Sequence, residues 1–224
     1  GGIIKMHLKT KRIVITALMA AMVCVATMII KIPSPLKGYL NLGDCIVLVA
    51  GWMLSPAYGF LAAGLGSALA DVFSGYVTYA PATFVIKGLM ALIAFYGFKL
   101  LHKKLPDLPS RIISGIAAES VMILGYYVFE GFMDVIAAEK GGISNAVASM
   151  GTAFTKNHIK SLRSLTENIV LCFDGDEAGI NATKKAAELF SSMDIIPYAV
   201  ALPGGMDPDE YLQKYGSVAL KDYL

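Results

Sequence analysis

Six carboxylates in the C-terminal part of the chain fall into three short clusters whose spacing suits metal chemistry. Asp174 and Asp176 hold alternate positions in FDGDEAG, at the end of the apolar run NIVLCFD, with Gly175 between them to permit a tight turn. Alternate residues at a strand end aim two carboxylates at a common point, a hard oxygen site suited to Mg²⁺ or Mn²⁺. Glu130 and Asp134 are four apart, so a helix carries them on one face. Asp207 and Asp209, in GGMDPDE, form the third cluster. Carboxylates converging on one edge repel one another unless cations intervene, so divalent metal binding is the simplest chemistry for the set. Taken singly, each pair is also what a turn or a helix cap uses.

A second set of polar residues is embedded in apolar sequence. Asn41, Asp44, Asp71, Lys87 and Glu119 interrupt long hydrophobic runs, with Tyr39, Trp52, Tyr76 and Tyr79 nearby. Ionisable groups within a bilayer are unfavourable and mark pathways or binding sites. Asp44 and Asp71 also suit helix ends at headgroup level, and Lys87 could snorkel. Together they predict a polar pocket facing outward, with Asn41, Asp44, Tyr79, Lys87 and Glu119 as the substrate-binding candidates. Cys24, Cys45 and Cys172 are too scattered for a disulfide framework or a zinc site.

The elements that position these two sets differ in kind. Residues 1–129 hold 11 Lys/Arg against 4 Asp/Glu, a balance of +7, whereas residues 130–224 hold 8 against 13, a balance of −5. Such an asymmetry points to two units with different partners. In the first, the apolar runs Ile13–Ile30, Cys45–Leu54, Ala57–Val72, Ala82–Leu101 and Ile112–Phe129 predict about five transmembrane helices, the second of them short. Ala17 and Ala21, four apart, and Gly64 and Gly66 offer small-residue faces for close helix packing. Lys9, Lys11 and Arg12 before the first run, and Lys99, Lys103, Lys104 and Arg111 around the fourth connection, place those ends in the cytoplasm. Alternate crossing then brings Phe129 out on the far side.

From Glu130 the periodicity changes. NAVASM, NIVLCFD and IPYAVAL read as short buried strands, and Phe132–Lys140, Thr155–Leu165 and Glu177–Ser192 as helices. Strands alternating with helices argue an α/β unit with a parallel sheet covered on both faces. Open sheets of this kind place their sites at strand carboxyl ends, where Asp174 and Asp176 fall.

The blocks NLGD, GSALAD, GYVTYAP and IKGLM resemble the S component of energy-coupling-factor (ECF) vitamin transporters, in the riboflavin-type group, over about residues 6–129. The resemblance implies a multi-pass cell-membrane protein that binds a B-vitamin or precursor. Its implied partners are a transmembrane coupling subunit and two ATPase subunits. Ala17 and Ala21 match the family's coupling face. The family has six spans, and this chain shows five runs.

The order E-G-x-M-D, D-G-D-x-A-G, D-P-D-E-Y, with NAVASMGTAFT and LPGGMDPDEYL, resembles the Toprim catalytic domain of bacterial DNA primases over about residues 130–224. It implies Glu130 as the acid/base residue, Asp174 and Asp176 as principal metal ligands, and Asp134, Asp207 and Asp209 completing the cluster. Two divalent ions would then bridge an incoming triphosphate and an attacking hydroxyl for RNA primer synthesis. Nucleic acid and nucleotides are partners only where this half is cytoplasmic. Its basic footprint, Lys156, Lys160, Arg163, Lys184 and Lys185, is thin.

The chain therefore resembles a chimera with a boundary at 129/130. A Toprim sheet needs a first strand before Glu130, which only Leu124–Phe129 can supply, while the membrane half needs the same residues as helix. The alternatives to a transport subunit with a Toprim passenger are a primase fragment behind an accidental membrane leader and a hybrid with neither activity.

Overall fold

The computed structural model describes residues 2–29, 31–33, 39–148, 154–175, 177–206 and 208–223. Contacts divide the chain into two compact units, Gly1–Tyr126 and Tyr127–Leu224.

The first unit is helical. α1 (Gly2–Ile29) is followed by a small antiparallel ladder, β1 (Lys31–Pro33) against β2 (Tyr39–Asn41), in which Lys31 faces Asn41 and Pro33 faces Tyr39. Then come α2 (Leu42–Met53), α3 (Pro56–Phe73), α4 (Ala80–Leu101) and α5 (Asp107–Lys140), the last crossing the boundary between the units. Four of these helices, α1, α3, α4 and α5, are long and apolar enough to span a bilayer. The second of the five anticipated runs is the 12-residue α2, about 18 Å long and short of a hydrocarbon core. Large apolar side chains face outward along the bundle: Leu18 is 60% exposed, Leu100 68% and Ile123 64%. Such surface is unfavourable in water and favourable in lipid.

Small residues let the helices meet. A Cβ at Gly66 would lie 2.5 Å from Ala20 O, and one at Gly64 would lie 2.6 Å from Phe84 O, so α3 touches α1 and α4 through its glycines. Val23, Val47, Ala63, Met90, Ala91, Ala94 and Ala118 form the buried centre.

The second unit alternates helix and strand. After α5 come α6 (Lys156–Arg163), β3 (Val170–Phe173), α7 (Glu177–Ser191), β4 (Tyr198–Ala201) and α8 (Pro208–Tyr223). β3 and β4 pair in parallel, with Val170 opposite Tyr198 and Phe173 opposite Ala201. Neighbouring β3 residues serve two cores. Leu171 packs with Ile159, Ala186 and Phe190, while Cys172 packs with Leu202, Tyr211 and Leu220. That two-sided burial is what a parallel sheet with a crossover helix requires. α8 carries no signal beyond DPDEYL at its start and was not anticipated.

Two strand expectations fail. Leu124–Phe129 is helix, because nothing between Asp107 and Lys140 stops α5 except Pro109 in its first turn, where proline is tolerated. The end comes at Gly141–Gly142, with Gly142 at φ +83° and Ile143 N donating to Ala138 O at 2.9 Å. Packing on α4 reinforces the helix: Tyr126 Oη donates to Thr83 Oγ1 at 3.1 Å, and a Cβ at Gly125 would lie 3.0 Å from Ile86. The second failure is NAVASM, whose residues 145–148 lie outside any strand; its last two residues lie outside the described residues.

Candidate functional site

In the first unit, α2, α4 and α5 bring charged residues together inside the bundle. Asp44 sits in the first turn of α2, where the helix N-terminus favours a carboxylate. Its Oδ1 forms an ion pair with Lys87 Nζ, the two side chains being 13% and 7% exposed. Lys87 also contacts Met122 Sδ and lies 5.7 Å from the Tyr126 ring centroid. Glu119, half-buried on α5, is within electrostatic reach of both Asp44 and Lys87. Positions 119, 122 and 126 share one face of α5, so a single helical stripe supplies the carboxylate, the thioether and the phenol. Glu119 also lines an open groove of about 450 Å³ that runs beside Leu48, Trp52 and Gly115.

Three of the five substrate-site candidates, Asp44, Lys87 and Glu119, thus converge. Tyr79 precedes α4, half-buried and edge-on to Tyr76 at 6.4 Å, about 12 Å along α4 from Lys87. Asn41 ends β2, three residues before Asp44, and its side chain lies outside the described residues. Thr83, Met122 and Tyr126 were missed. Their signal was helical spacing: Thr83 is four before Lys87, and Met122 and Tyr126 are three and seven after Glu119. Ala17 and Ala21 lie on the exposed side of α1 with Val14, Leu18 and Val25, away from buried Thr16, Met19 and Val23.

In the second unit, β3 carries Asp174 at its carboxyl end, and Cys172 reports the neighbourhood. Its thiol is pushed up to about 11, first by burial and then by the carboxylates of Asp134 and Asp174. One cysteine therefore feels both clusters, one from α5 and one from β3. The glycines of D-G-D-x-A-G have steric roles. A Cβ at Gly175 would collide with Leu202 O, and one at Gly179 would collide with Asp174 O. Gly175 N donates to Met206 O at 3.1 Å, which holds the β3 exit against the segment leading to Asp207 and Asp209. Gly204 and Gly205 shape that segment with φ of +73° and +74°. Glu130 is exposed on α5, one turn before Asp134.

Asp176 and Asp207, and the side chain of Asp209, lie outside the described residues. Among the described residues, no three of His, Cys, Asp and Glu are grouped to hold a metal ion. Asp134 and Asp174 nevertheless both act on Cys172, and carboxylates are a donor type that fits a hard divalent cation.

Residues 7–160 match the family described as ECF-type riboflavin transporter, S component, which covers most of the chain. The chain belongs to this S-component family. Residues 127–212 match a second family, described as Toprim-like. The same part of the chain is similar to DNA primases: 52% identical over 90 residues to that of Lactococcus lactis subsp. lactis (strain IL1403), covering 40% of this chain and 14% of that protein. The similarity to a DNA primase of Staphylococcus aureus is 45% over 97 residues, covering 43% of this chain and 16% of that protein. The chain thus spans about a seventh of the length of the curated relatives it matches. No solved structure matches. The S-component and Toprim-like matches share residues 127–160, the end of α5 and the start of α6 included.

Proposed function

We propose that the chain is a membrane-embedded S component that binds riboflavin or a related B-vitamin from the outer side. The observation that carries this reading is the buried Asp44–Lys87 pair with Glu119 beside it. A polar cluster held inside an apolar bundle has no packing rationale, whereas it suits the hydrogen-bonding groups of a polar, planar vitamin. Lys87 and Glu119 offer a donor and an acceptor, and Tyr126 and Tyr79 offer aromatic faces. The coupling subunit would dock on the exposed α1 face that contains Ala17 and Ala21, where small side chains permit close helix approach. The binding test is direct. Purified chain should quench riboflavin fluorescence saturably, and Lys87→Met should lose that quenching; no saturable quenching by the unmodified chain refutes the reading.

For the Toprim-like part we infer a divalent-metal site built by Asp134, Asp174, Asp176, Asp207 and Asp209, with Glu130 as acid/base residue. Support comes from the shared electrostatic neighbourhood of Asp134 and Asp174 and from Gly175, whose hydrogen bond ties the two acidic loops together. Bound Mg²⁺ or Mn²⁺ would supply charge neutralisation for nucleotidyl transfer. The carboxylates would hold and orient the ion, and Gly179 lets the start of α7 lie close against the Asp174 carbonyl. Nucleic acid and nucleotides meet this site only in the cytoplasm. Protease digestion of sealed vesicles, read at the C-terminal half, decides which side it occupies.

A further inference from the structure

The end of the bundle opposite the Asp44–Lys87 pair carries a second built feature that vitamin binding does not use. Trp52 near the end of α2, Phe95, Phe98 and Lys99 on α4, and His102 and Lys103 in the following turn line a cleft of about 260 Å³. Its floor is aromatic and its rim is cationic. The Arg111 guanidinium lies 4.6 Å from the Phe98 centroid and 5.4 Å from the Trp52 centroid, and His102 stacks on Phe98 at 5.1 Å. Arg111 is anchored by Asp107, its Nε donating to Oδ2 at 2.9 Å, and the same carboxylate lies 3.9 Å from His102 Nδ1. Lys99 Nζ lies 5.9 Å from the Phe95 centroid. Among the described residues, neither Lys99 nor Lys103 pairs with a carboxylate. Lys99, Lys103 and Lys104 are all exposed.

We propose that this cleft binds the phosphate of an anionic phospholipid headgroup, with Lys99 and Lys103 as the phosphate ligands and Trp52 and Phe98 as its wall. Two observations choose a lipid over a free anion. The cleft lies where α2 and α4 end and α5 begins, the level at which a bilayer changes from hydrocarbon to headgroup. Apolar surface continues from its rim along α4, where Tyr96 and Leu100 are 56% and 68% exposed, giving attached acyl chains a track to follow. Basic pockets between helices on the cytoplasmic side suit anionic headgroups on general electrostatic grounds, and the basic connection puts this end there. The inference rests on the membrane reading proposed above. The assay below samples both leaflets, so its outcome does not depend on orientation or on riboflavin binding.

Trp52 is the chain's single tryptophan and lines the cleft, so its fluorescence reports the occupant. The full chain is reconstituted in nanodiscs, and quenching is compared for brominated phosphatidylglycerol and brominated phosphatidylcholine at equal mole fraction. The expected result is stronger quenching by the anionic lipid, a preference that falls about fivefold for each lysine removed in Lys99→Gln and Lys103→Gln. Retained quenching by brominated phosphatidylcholine verifies that Trp52 still sits at its depth in each variant; Lys103→Gln alone, outside any helix, serves where the double variant fails this check. Lys9→Gln with Lys11→Gln removes equal charge elsewhere and should leave the preference intact. Equal quenching by both lipids, or equal loss in the Lys9/Lys11 variant, overturns the site. Loss of the preference on adding inorganic phosphate at constant ionic strength assigns the cleft to a free anion and overturns the lipid.

Discussion

Lys87→Met isolates the energetics of the buried pair. The substitution keeps an unbranched side chain one atom shorter and removes its charge, so Asp44, with a side chain only 13% exposed, stays in the bundle without its Lys87 counter-ion. Removing one partner of a buried ion pair costs about 3–5 kcal/mol, because an uncompensated charge remains. The low end of that range corresponds to a fall in Tm of roughly 6–12 °C for a chain of this size. The cost is an orphaned-charge effect, so Asp44→Asn introduced beside Lys87→Met should recover most of it. Intrinsic fluorescence is the appropriate assay, since Trp52 lies in α2 and reports the first unit alone. Thermal melts in detergent of the four proteins of the double-mutant cycle give the coupling directly. A Lys87→Met protein as stable as the parent refutes the burial argument. A double variant no more stable than Lys87→Met refutes the pairing.

Gly175→Ala should loosen the second unit by about 1–3 kcal/mol, since its Cβ would meet Leu202 O; amide exchange in β3 and β4 should accelerate by about 5- to 150-fold. In a Cys24→Ala, Cys45→Ala background, alkylation of Cys172 at pH 8 should be about 100-fold slower than that of a thiol at the ordinary value of 9.0. Asp134→Asn or Asp174→Asn should speed it, because each removes negative charge that opposes the thiolate; an unchanged rate would mean the carboxylates do not share that neighbourhood. Ala17→Leu with Ala21→Leu should abolish co-purification with a coupling subunit while riboflavin quenching persists, because both residues are exposed in the isolated chain.

Much of the architecture was legible because each unit obeys its own periodicity. Long apolar runs gave α1, α3, α4 and the first part of α5, and the alternation of short apolar segments with amphipathic ones gave β3, α7 and β4. Asp44, Lys87 and Glu119 were legible because charge inside an apolar run is conspicuous. Their partners were not, since a tyrosine, a threonine or a methionine on a membrane helix carries no such contrast, and only the helical repeat links Met122 and Tyr126 to Glu119. The cationic cleft around Trp52 was invisible for a different reason. It is assembled from α2, α4 and the turn after α4, and Trp52 and Lys103 are 51 positions apart in sequence. Local propensity did not decide Leu124–Phe129, where Tyr126, Tyr127, Val128 and Phe129 suit a strand as well as a helix; the strand expectation there came from the Toprim resemblance.

That stretch decides how the two families share one chain. α5 runs for 34 residues, about 51 Å, well beyond a bilayer's hydrocarbon core. Alanines 137 and 138 and Glu139 favour helix, and the stop signal at Gly142 comes 12 residues after Glu130. The transport side loses nothing by this: Glu119, Met122 and Tyr126 all precede the boundary between the units and have their contacts with α4 in place. The Toprim side bears the cost. Glu130 lies within a helix rather than at the end of a strand, exposed, and β3 and β4 are the two paired strands of the second unit among the described residues. A proton-transferring carboxylate needs a fixed position relative to the metal ligands, and Glu130 is carried by the helix that continues from the preceding apolar run. Vitamin binding is therefore the activity expected to survive the junction, and nucleotidyl transfer the one expected to be compromised, even if the aspartates of the second unit still take up a cation.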